Sequence, residues 1–509
     1  MNESKQTRFI GSFTIKGAGH HGSLQIDDHD STLDIYSDNF FNIDDDDLRC
    51  IKGISKEGAR VSAIECIPSS ICGRSSYHGI IKHYATLHPN FVVVGHDYLD
   101  PNDNCIESIS FTFPAAKNLF YDLGTFGHIR EKRDLPLSYI RQMLRSAKGS
   151  PRKRRRGGTI DLYYRWDRGP IIECDHPFGK LTAWNATAER LTYPGGISLD
   201  NQVRITVSFT DPSSLGKSLK ICYDAMGFFE LTAQSRQILD EITITKLGSE
   251  EFLPLQLYIV NTETTTRDKV IPGDTLINGG MHSEEFSSVL SSWLFTSEER
   301  GPPRRRFSEG AREGNNYTIN RLISAANSFD LLPKLDFVKP ESLPEKVQSL
   351  YNEIESKIRL FKAENIDLGE YVQRLLNNLG HSRSLNLRAK ILQKWDSTPP
   401  FLKEKLPRMP EAIVFSVNCR NFFVHGAEFK LSRTDAHEFV PFFTDTLEFV
   451  FSVTELTYCG WDIGRWNKDA YSSSPLKNYM RNFSMNMIQL DAGTARYKAK
   501  KGNSAPPES

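Results

Sequence analysis

Residues 413–426 read Ile-Val-Phe-Ser-Val-Asn-Cys-Arg-Asn-Phe-Phe-Val-His-Gly. Ile413, Val414, Val417, Phe422 and Val424 supply the apolar partners of a helix. Gly426 is a stop signal, which places His425 in the last turn. Asn421 and His425 are four residues apart and share a face. Arg420 lies one position round, and its long side chain can swing to the same end. One helix therefore presents a planar donor fork, an amide and an imidazole to one place. Such a set suits a phosphodiester. Arg binds two phosphate oxygens and stabilises charge developing on phosphorus, His moves a proton near neutral pH, and Asn orients either. The same spacing also fits a surface cation beside a half-buried ring, with no chemistry attached.

Working outward, the flanking sequence keeps the helical period. Ile319, Leu322, Ile323, Ala326, Phe329 and Leu332 follow 3-4 spacing, as do Val347, Leu350, Ile354, Ile358 and Phe361. Further helices are predicted at about 367–379, 384–395, 409–425 and 435–460, punctuated by Pro and Gly. Residues 315–465 thus read as an all-α helical bundle with short loops. The tail, 466–509, ends in Lys, Gly, Ser and Pro and is expected to fray. The long apolar run Phe439–Trp461 carries Asp445, Glu448 and Glu455, which would be costly at mid-bilayer, so it reads as an amphipathic soluble helix.

Before residue 300 the period is two. Alternating runs recur at Phe9–Ile15, Ser23–Ile26, Thr32–Tyr36, Ala59–Ile64, Gly79–Tyr84, Phe91–Val94 and Ile106–Phe113. They resume at Thr159–Tyr164, Gln202–Phe209, Leu219–Tyr223, Phe228–Thr232, Ile242–Thr245 and Pro254–Val260. The region 1–300 reads as β-rich and sandwich-like, as one region or as two sub-domains, 1–130 and 157–300. Between them, 131–156 is a basic loop: across 130–156 eleven Lys or Arg stand against two Asp or Glu. Arg152, Lys153, Arg154, Arg155 and Arg156 admit three readings: a solvated insertion, a phosphate-binding patch, or a nuclear-localisation run. Residues 301–314, within ERGPPRRRFSEGAREG, are rich in Gly, Pro and charge and predict a linker. The fold class expected is α+β multidomain, a β-rich first part followed by the helical bundle.

Composition limits the function classes. Of 509 residues, 39% are hydrophobic and 25% charged, which excludes wholesale disorder. Lys+Arg and Asp+Glu both number 63, so no global basic field advertises a nucleic-acid binder, and RNA must be met through a local patch. The N-terminus, MNESKQTR, lacks the apolar core of a signal peptide. Eight Cys occur without a CxxC pair, which points to a reducing, cytoplasmic setting. Cys66, Cys72 and His78 are spaced too loosely for a zinc site. The clusters Asp27–Asp30 and Asp44–Asp47 lack the Gly and Glu of an EF-hand loop and read as solvated turns. Gly216-Lys217-Ser218 resembles the end of a P-loop, but position 211 is Asp where the first Gly belongs, and no helix is evident after it. HExxH, GxSxG and GxGxxG motifs are absent. No metal and no cofactor is expected.

Arg420, Asn421 and His425, followed by Gly426 and a long apolar helix, resemble the R-x4–6-H signature of the HEPN superfamily. The helical domain is similar to the ApeA-type HEPN domain of bacterial anti-phage defence. FIGSFTIKGAGHHGSLQI (9–26) and ISFTFPAAKNLF (109–120) resemble the ApeA N-terminal domain. The resemblance implies a metal-independent endoribonuclease, in which the RNA 2′-OH attacks the adjacent phosphate to leave a 2′,3′-cyclic phosphate and a 5′-OH end. It implies His425 as general acid or base, Arg420 as phosphate clamp and Asn421 as orienting residue. Asp330 is the candidate for a supporting polar residue on an early helix. Sites of this family lie at a homodimer interface, and the exposed side of 409–425 with part of 435–460 is the expected two-fold contact. The implied partners are RNA, with tRNA as a candidate, a second or further copy of the chain, and a phage-derived trigger on the N-terminal region. The competing reading is a non-catalytic HEPN module that dimerises or binds RNA or another partner.

Overall fold

Phe13 and Ile15, Leu24 and Ile26, Leu33 and Ile35 are buried while their neighbours face outward, the signature of strands packed on one side. The computed structural model describes residues 7–27, 30–38, 41–77, 80–121, 126–131, 159–164, 169–192, 196–248, 253–260, 272–314, 316–338, 345–365, 368–382, 385–468 and 474–503. They divide into two compact units, Met1–Met226 with Gln237–Ser291, and Gly227–Arg236 with Ser292–Ser509.

The first unit holds fourteen strands among the described residues: β1 (Thr7–Ile15), β2 (Ala18–Ile26), β3 (Ser31–Ser37), β4 (Cys50–Ser55), β5 (Arg60–Tyr77), β6 (Ile80–Gly95), β7 (Ile106–Thr112), β8 (Phe126–Glu131), β9 (Thr159–Tyr164), β10 (Ile172–His176), β11 (Gly179–Thr192), β12 (Gly196–Ser213), β13 (Asp240–Lys246) and β14 (Leu255–Ile259). Antiparallel pairing runs β6-β3-β2-β1-β4-β5 and returns to β6, closing a six-stranded barrel. Closure removes the free edges. From β6 the same sheet continues through β14, β13, β7, β12 and β11 to β10, while β8 and β9 pair separately. The β-rich first part thus holds, but a closed barrel with a sheet running on from it replaces the sandwich-like pair of sheets. Phe13 fixes the barrel interior. A Cβ on Gly22 would stand 2.6 Å from its ring and one on Gly53 2.4 Å, so only glycine fits on either side.

The helices are α1 (Asp45–Arg49), α2 (Ala116–Leu119), α3 (Leu215–Ala233), α4 (Ser283–Phe295), α5 (Ser297–Ala311), α6 (Ile319–Asp330), α7 (Glu345–Glu364), α8 (Gly369–Ser382), α9 (Leu387–Asp396), α10 (Pro400–Lys405), α11 (Met409–His425), α12 (Arg433–Glu438), α13 (Val440–Tyr458), α14 (Ile463–Lys468) and α15 (Pro475–Asn503). A β-rich region followed by helices is the architecture expected. None of the described helices is long and apolar enough to cross a membrane. In the second unit α13 is central: fourteen of its nineteen residues are buried, and α6, α9 and α11 pack around it.

Three local expectations are corrected. The runs Leu219–Tyr223 and Phe228–Thr232 are not strands but parts of α3; Leu215, Leu219, Cys222, Met226 and Phe229 are buried at helical spacing. Gly216-Lys217-Ser218 accordingly does open a helix, although Asp211 still replaces the first P-loop glycine. The 301–314 linker is for the most part helix α5. Part of its charge is buried: Arg300 pairs with Glu455 and half-buried Asp336, and Arg304 Nε donates to Glu455 Oε2 at 3.0 Å, with Arg300, Arg304 and Glu455 all buried. Their guanidinium planes lie 3.6 Å from the Tyr458 ring and 3.7 Å from the Trp293 ring. Lys394 joins through Asp336. The tail does not fray at 475–503: Leu476, Tyr479, Phe483, Met487 and Leu490 bury one stripe of α15. The acidic turn at Asp44–Asp47 is solvent-exposed as expected at Asp44, Asp45 and Asp46, and it forms a capping box opening α1, with Lys16 Nζ 3.0 Å from Asp44.

Candidate active site

Helix α11 is built as its sequence demands. Met409, Ala412, Ile413, Ser416, Val417 and Cys419 face the core, and Pro410 sits in the first turn where its missing N–H costs nothing. At the other end Gly426 adopts φ +66°, the left-handed conformation that glycine enters without Cβ strain. Its N–H donates to the Phe422 carbonyl at 3.0 Å, closing the helix directly after His425.

Arg420, Asn421 and His425 meet. Arg420 Nη1 donates to Asn421 Oδ1 at 3.0 Å and contacts His425 Nε2 at 3.0 Å. Guanidinium has no acceptor, so as a hydrogen bond the second contact needs a neutral imidazole with its proton on Nδ1. Arg420 Nη2 donates to Asn327 Oδ1 on α6, also at 3.0 Å. Its Nε is buried, with no acceptor in reach among the described residues. Arg420 and Asn421 are half-buried and His425 is exposed. The partners of the Arg420 guanidinium are two amide oxygens and an imidazole nitrogen, and no carboxylate among the described residues pairs with it. The positive charge is therefore positioned but not compensated, which is what an anionic ligand needs. Cys419, next in sequence, is no nucleophile: burial pushes its thiol up to about 12.

Asp330 is elsewhere. Its carboxylate takes Lys390 Nζ at 2.9 Å, and the polar residue of the early helix that reaches Arg420 is Asn327, three positions earlier. Asn327 was legible only as an amide four residues after Ile323, on the flank of an apolar stripe. Nothing local ties it to a position 93 residues on. Of α13, which overlaps the expected two-fold contact, fourteen of nineteen residues are buried within the chain. The run Arg152, Lys153, Arg154, Arg155 and Arg156 lies outside the described residues, as does most of the basic loop 131–156. Among the described residues, His, Cys, Asp and Glu nowhere gather as a metal cage would require.

No curated protein and no solved structure matches the chain. One family model does: ApeA N-terminal domain 1 matches residues 8–293, the barrel, its continuing sheet and the segment leading to the helical unit. With more than half of its length matched to that model, the chain belongs to the ApeA family.

Proposed function

We propose that this ApeA-type anti-phage defence protein is a metal-independent endoribonuclease of HEPN type. The observation that carries the reading is the Arg420 guanidinium, held by two amide oxygens and the exposed His425 imidazole at 3.0 Å, with no carboxylate paired to it among the described residues. The chemistry follows from that set. His425 Nε2, once released by Arg420, takes the proton of an RNA 2′-OH. The 2′ oxygen attacks the adjacent phosphorus, the P–O5′ bond breaks, and the products are a 2′,3′-cyclic phosphate and a 5′-OH. Arg420 stabilises the extra negative charge on the non-bridging oxygens of the transition state. Protonation of the leaving 5′ oxygen falls to a second imidazole, which a second copy of the chain supplies. Asn421 and Asn327 hold Arg420 in place. The substrate class is RNA, with tRNA as the cellular candidate, and the setting is the cytoplasm. The N-terminal unit is the natural receptor of a phage-derived trigger, since a toxic nuclease needs gating.

One observation favours the competing reading of a non-catalytic module. Three donor hydrogens of Arg420 are already spoken for inside the protomer, as in a structural arginine. Purified full-length chain incubated with RNA in EDTA separates the two. The expected result is fragments with 5′-OH ends, no cutting of DNA or of 2′-O-methyl RNA, and none by Arg420→Ala or His425→Ala. Both variants should stay folded, since His425 is exposed and half-buried Arg420 is held by single hydrogen bonds, each contributing about 0.5–1.5 kcal/mol net. Cutting that depends on added Mg²⁺, 5′-phosphate ends, or wild-type rates in either variant would refute the reading.

A further inference from the structure

Where α15 runs past the start of α13, a cavity of about 380 Å³ is left between them, within the size range of small-molecule sites. Phe439 and Phe442 give it an apolar side. Gly493 lets the two helices come this close: a Cβ there would stand 3.2 Å from Leu431 and 3.4 Å from the Phe439 ring. Glu438 and Asp445 line the cavity from one side, and Asn486 and Gln489 line it from α15. Helical hydrogen bonds run through the junction of α12 and α13. Phe439 N–H donates to the Asp435 carbonyl at 3.1 Å, and Phe443 N–H to the Phe439 carbonyl at 3.0 Å. Glu438 and Asp445, seven positions apart, therefore share a side and stand about 10 Å apart along the axis.

The polar groups of this cavity lack a cation. The side chains of Glu438, Asn486 and Gln489 have no hydrogen-bond or ion-pair partner among the described residues. Half-buried Asp445 accepts the Tyr317 hydroxyl on one oxygen at 2.7 Å, and no Lys or Arg among the described residues pairs with it. The guanidinium nearby, Arg321, is already held by Glu448. Arg496 also lines the cavity, but its charge is met by Asp435 at 2.9 Å. A carboxylate withdrawn from water is costly unless it is paired. An anionic ligand would face two carboxyls, and an apolar one would leave both without a partner. A metal ion needs oxygens converging on one point at about 2.0–2.6 Å, whereas these carboxyls are two helical turns apart. What fits is a chain with an ammonium group at each end and methylenes between.

We propose that this cavity binds a linear alkyl polyamine. One ammonium sits on Asp445 and a second on Glu438, the methylene chain lies along Phe439 and Phe442, and the amide oxygens of Asn486 and Gln489 accept the remaining N–H donors. None of these residues belongs to the Arg420 set, so the site stands whether or not the chain cuts RNA. Isothermal titration calorimetry of the full-length chain with spermidine, at constant ionic strength, tests it. Spermidine should fill one saturable site per chain. Putrescine, too short to reach both carboxyls, should bind about tenfold more weakly, and so should spermidine to Glu438→Gln or Asp445→Asn, each of which loses one charge-assisted contact. Glu438 is exposed, so Glu438→Gln should keep the wild-type far-ultraviolet circular dichroism spectrum and decides the matter if Asp445→Asn does not fold. Nα-acetyl-lysine methylamide, standing for the lysine side chain of a partner protein, should bind more weakly than spermidine. The proposal is overturned by no saturable binding at millimolar spermidine, by Glu438→Gln binding as the wild type does, by putrescine binding as well as spermidine, or by the lysine derivative binding better.

Discussion

Arg300 and Arg304 on α5 and Arg420 on α11 are guanidinium groups of one unit, and their surroundings divide them by purpose. Arg300 and Arg304 are buried against Glu455 and Asp336, with aromatic rings beneath them. Taking such charges out of water is costly, and the carboxylates offset the cost by matching charge with charge. Arg420 stands at the end of its helix among an imidazole and two amides. Those groups fix its direction and leave its charge unspent. A paired guanidinium braces the fold, whereas an oriented but uncompensated one is ready for an anion. Sequence composition points the other way. The paired arginines sit in a stretch that looks solvated, and the uncompensated arginine sits in an apolar helix.

The comparison is broken most forcefully by removing the shared carboxylate. Glu455→Ala leaves Arg300 and Arg304 buried without their common partner and should destabilise the protein by about 3–5 kcal/mol, read as a lower denaturant midpoint. A loss below about 1 kcal/mol would mean that water replaces the carboxylate and that the pair is not a brace.

A second test uses a half-buried carboxyl that lacks a guanidinium of its own. Asp445 accepts from the Tyr317 hydroxyl at 2.7 Å, while Glu448 has taken Arg321 in a two-pronged bond at 2.7 and 2.8 Å. Burial first, then the nearby Glu448 charge, pushes the Asp445 carboxyl up to about 7. A carboxyl that holds its proton more tightly when folded stabilises the fold at low pH. That contribution is present below the ordinary carboxylate range near 4 and is lost as pH rises to about 7, with a slope of at most about 1.4 kcal/mol per pH unit. Asp445→Asn should flatten the decline, which stability measured against pH will show. An unchanged slope would mean that Asp445 is not its source.

The smallest effect sharpens the Arg420 side. Asn327→Asp keeps an acceptor for Nη2 but supplies the missing negative charge. We expect about tenfold slower RNA cleavage, ~1.4 kcal/mol in the barrier, with stability unchanged or improved. Cleavage at the wild-type rate would show that compensation of Arg420 is irrelevant. Greater loss from Asn327→Ala than from Asn327→Asp would show that position, not charge, is what Asn327 provides.

Legibility differed along the chain for physical reasons. α11 was readable because every instruction for it is local: apolar residues at helical spacing, Pro410 at the start and Gly426 at the end. The strands of the barrel were readable where alternation is strict, as in Phe9–Ile15 and Thr32–Tyr36. α3 was misread because its short apolar runs, taken singly, have no period, and only the whole stretch of 19 residues shows the helical one. The tail carried its stripe in plain view at Leu476, Tyr479, Phe483, Met487 and Leu490, and its polar end drew attention away.

The sequence by itself determined that Arg420, Asn421 and His425 share the end of one helix, because residues within five positions are brought together by the helix backbone alone. It also determined that strands precede helices, since periods of two and 3.6 are written in neighbouring residues. Only the tertiary structure decided that the sheet closes on itself between β5 and β6, and that Asn327, not Asp330, reaches Arg420. It alone decided that α5, with Pro302 and Pro303 inside it, is a helix that buries Arg300 and Arg304. Each of these depends on groups far apart in the chain finding one another, such as Arg300 and Glu455 across 155 positions, and burial of a paired charge overrides the local preference of a stretch rich in Pro, Gly and Arg.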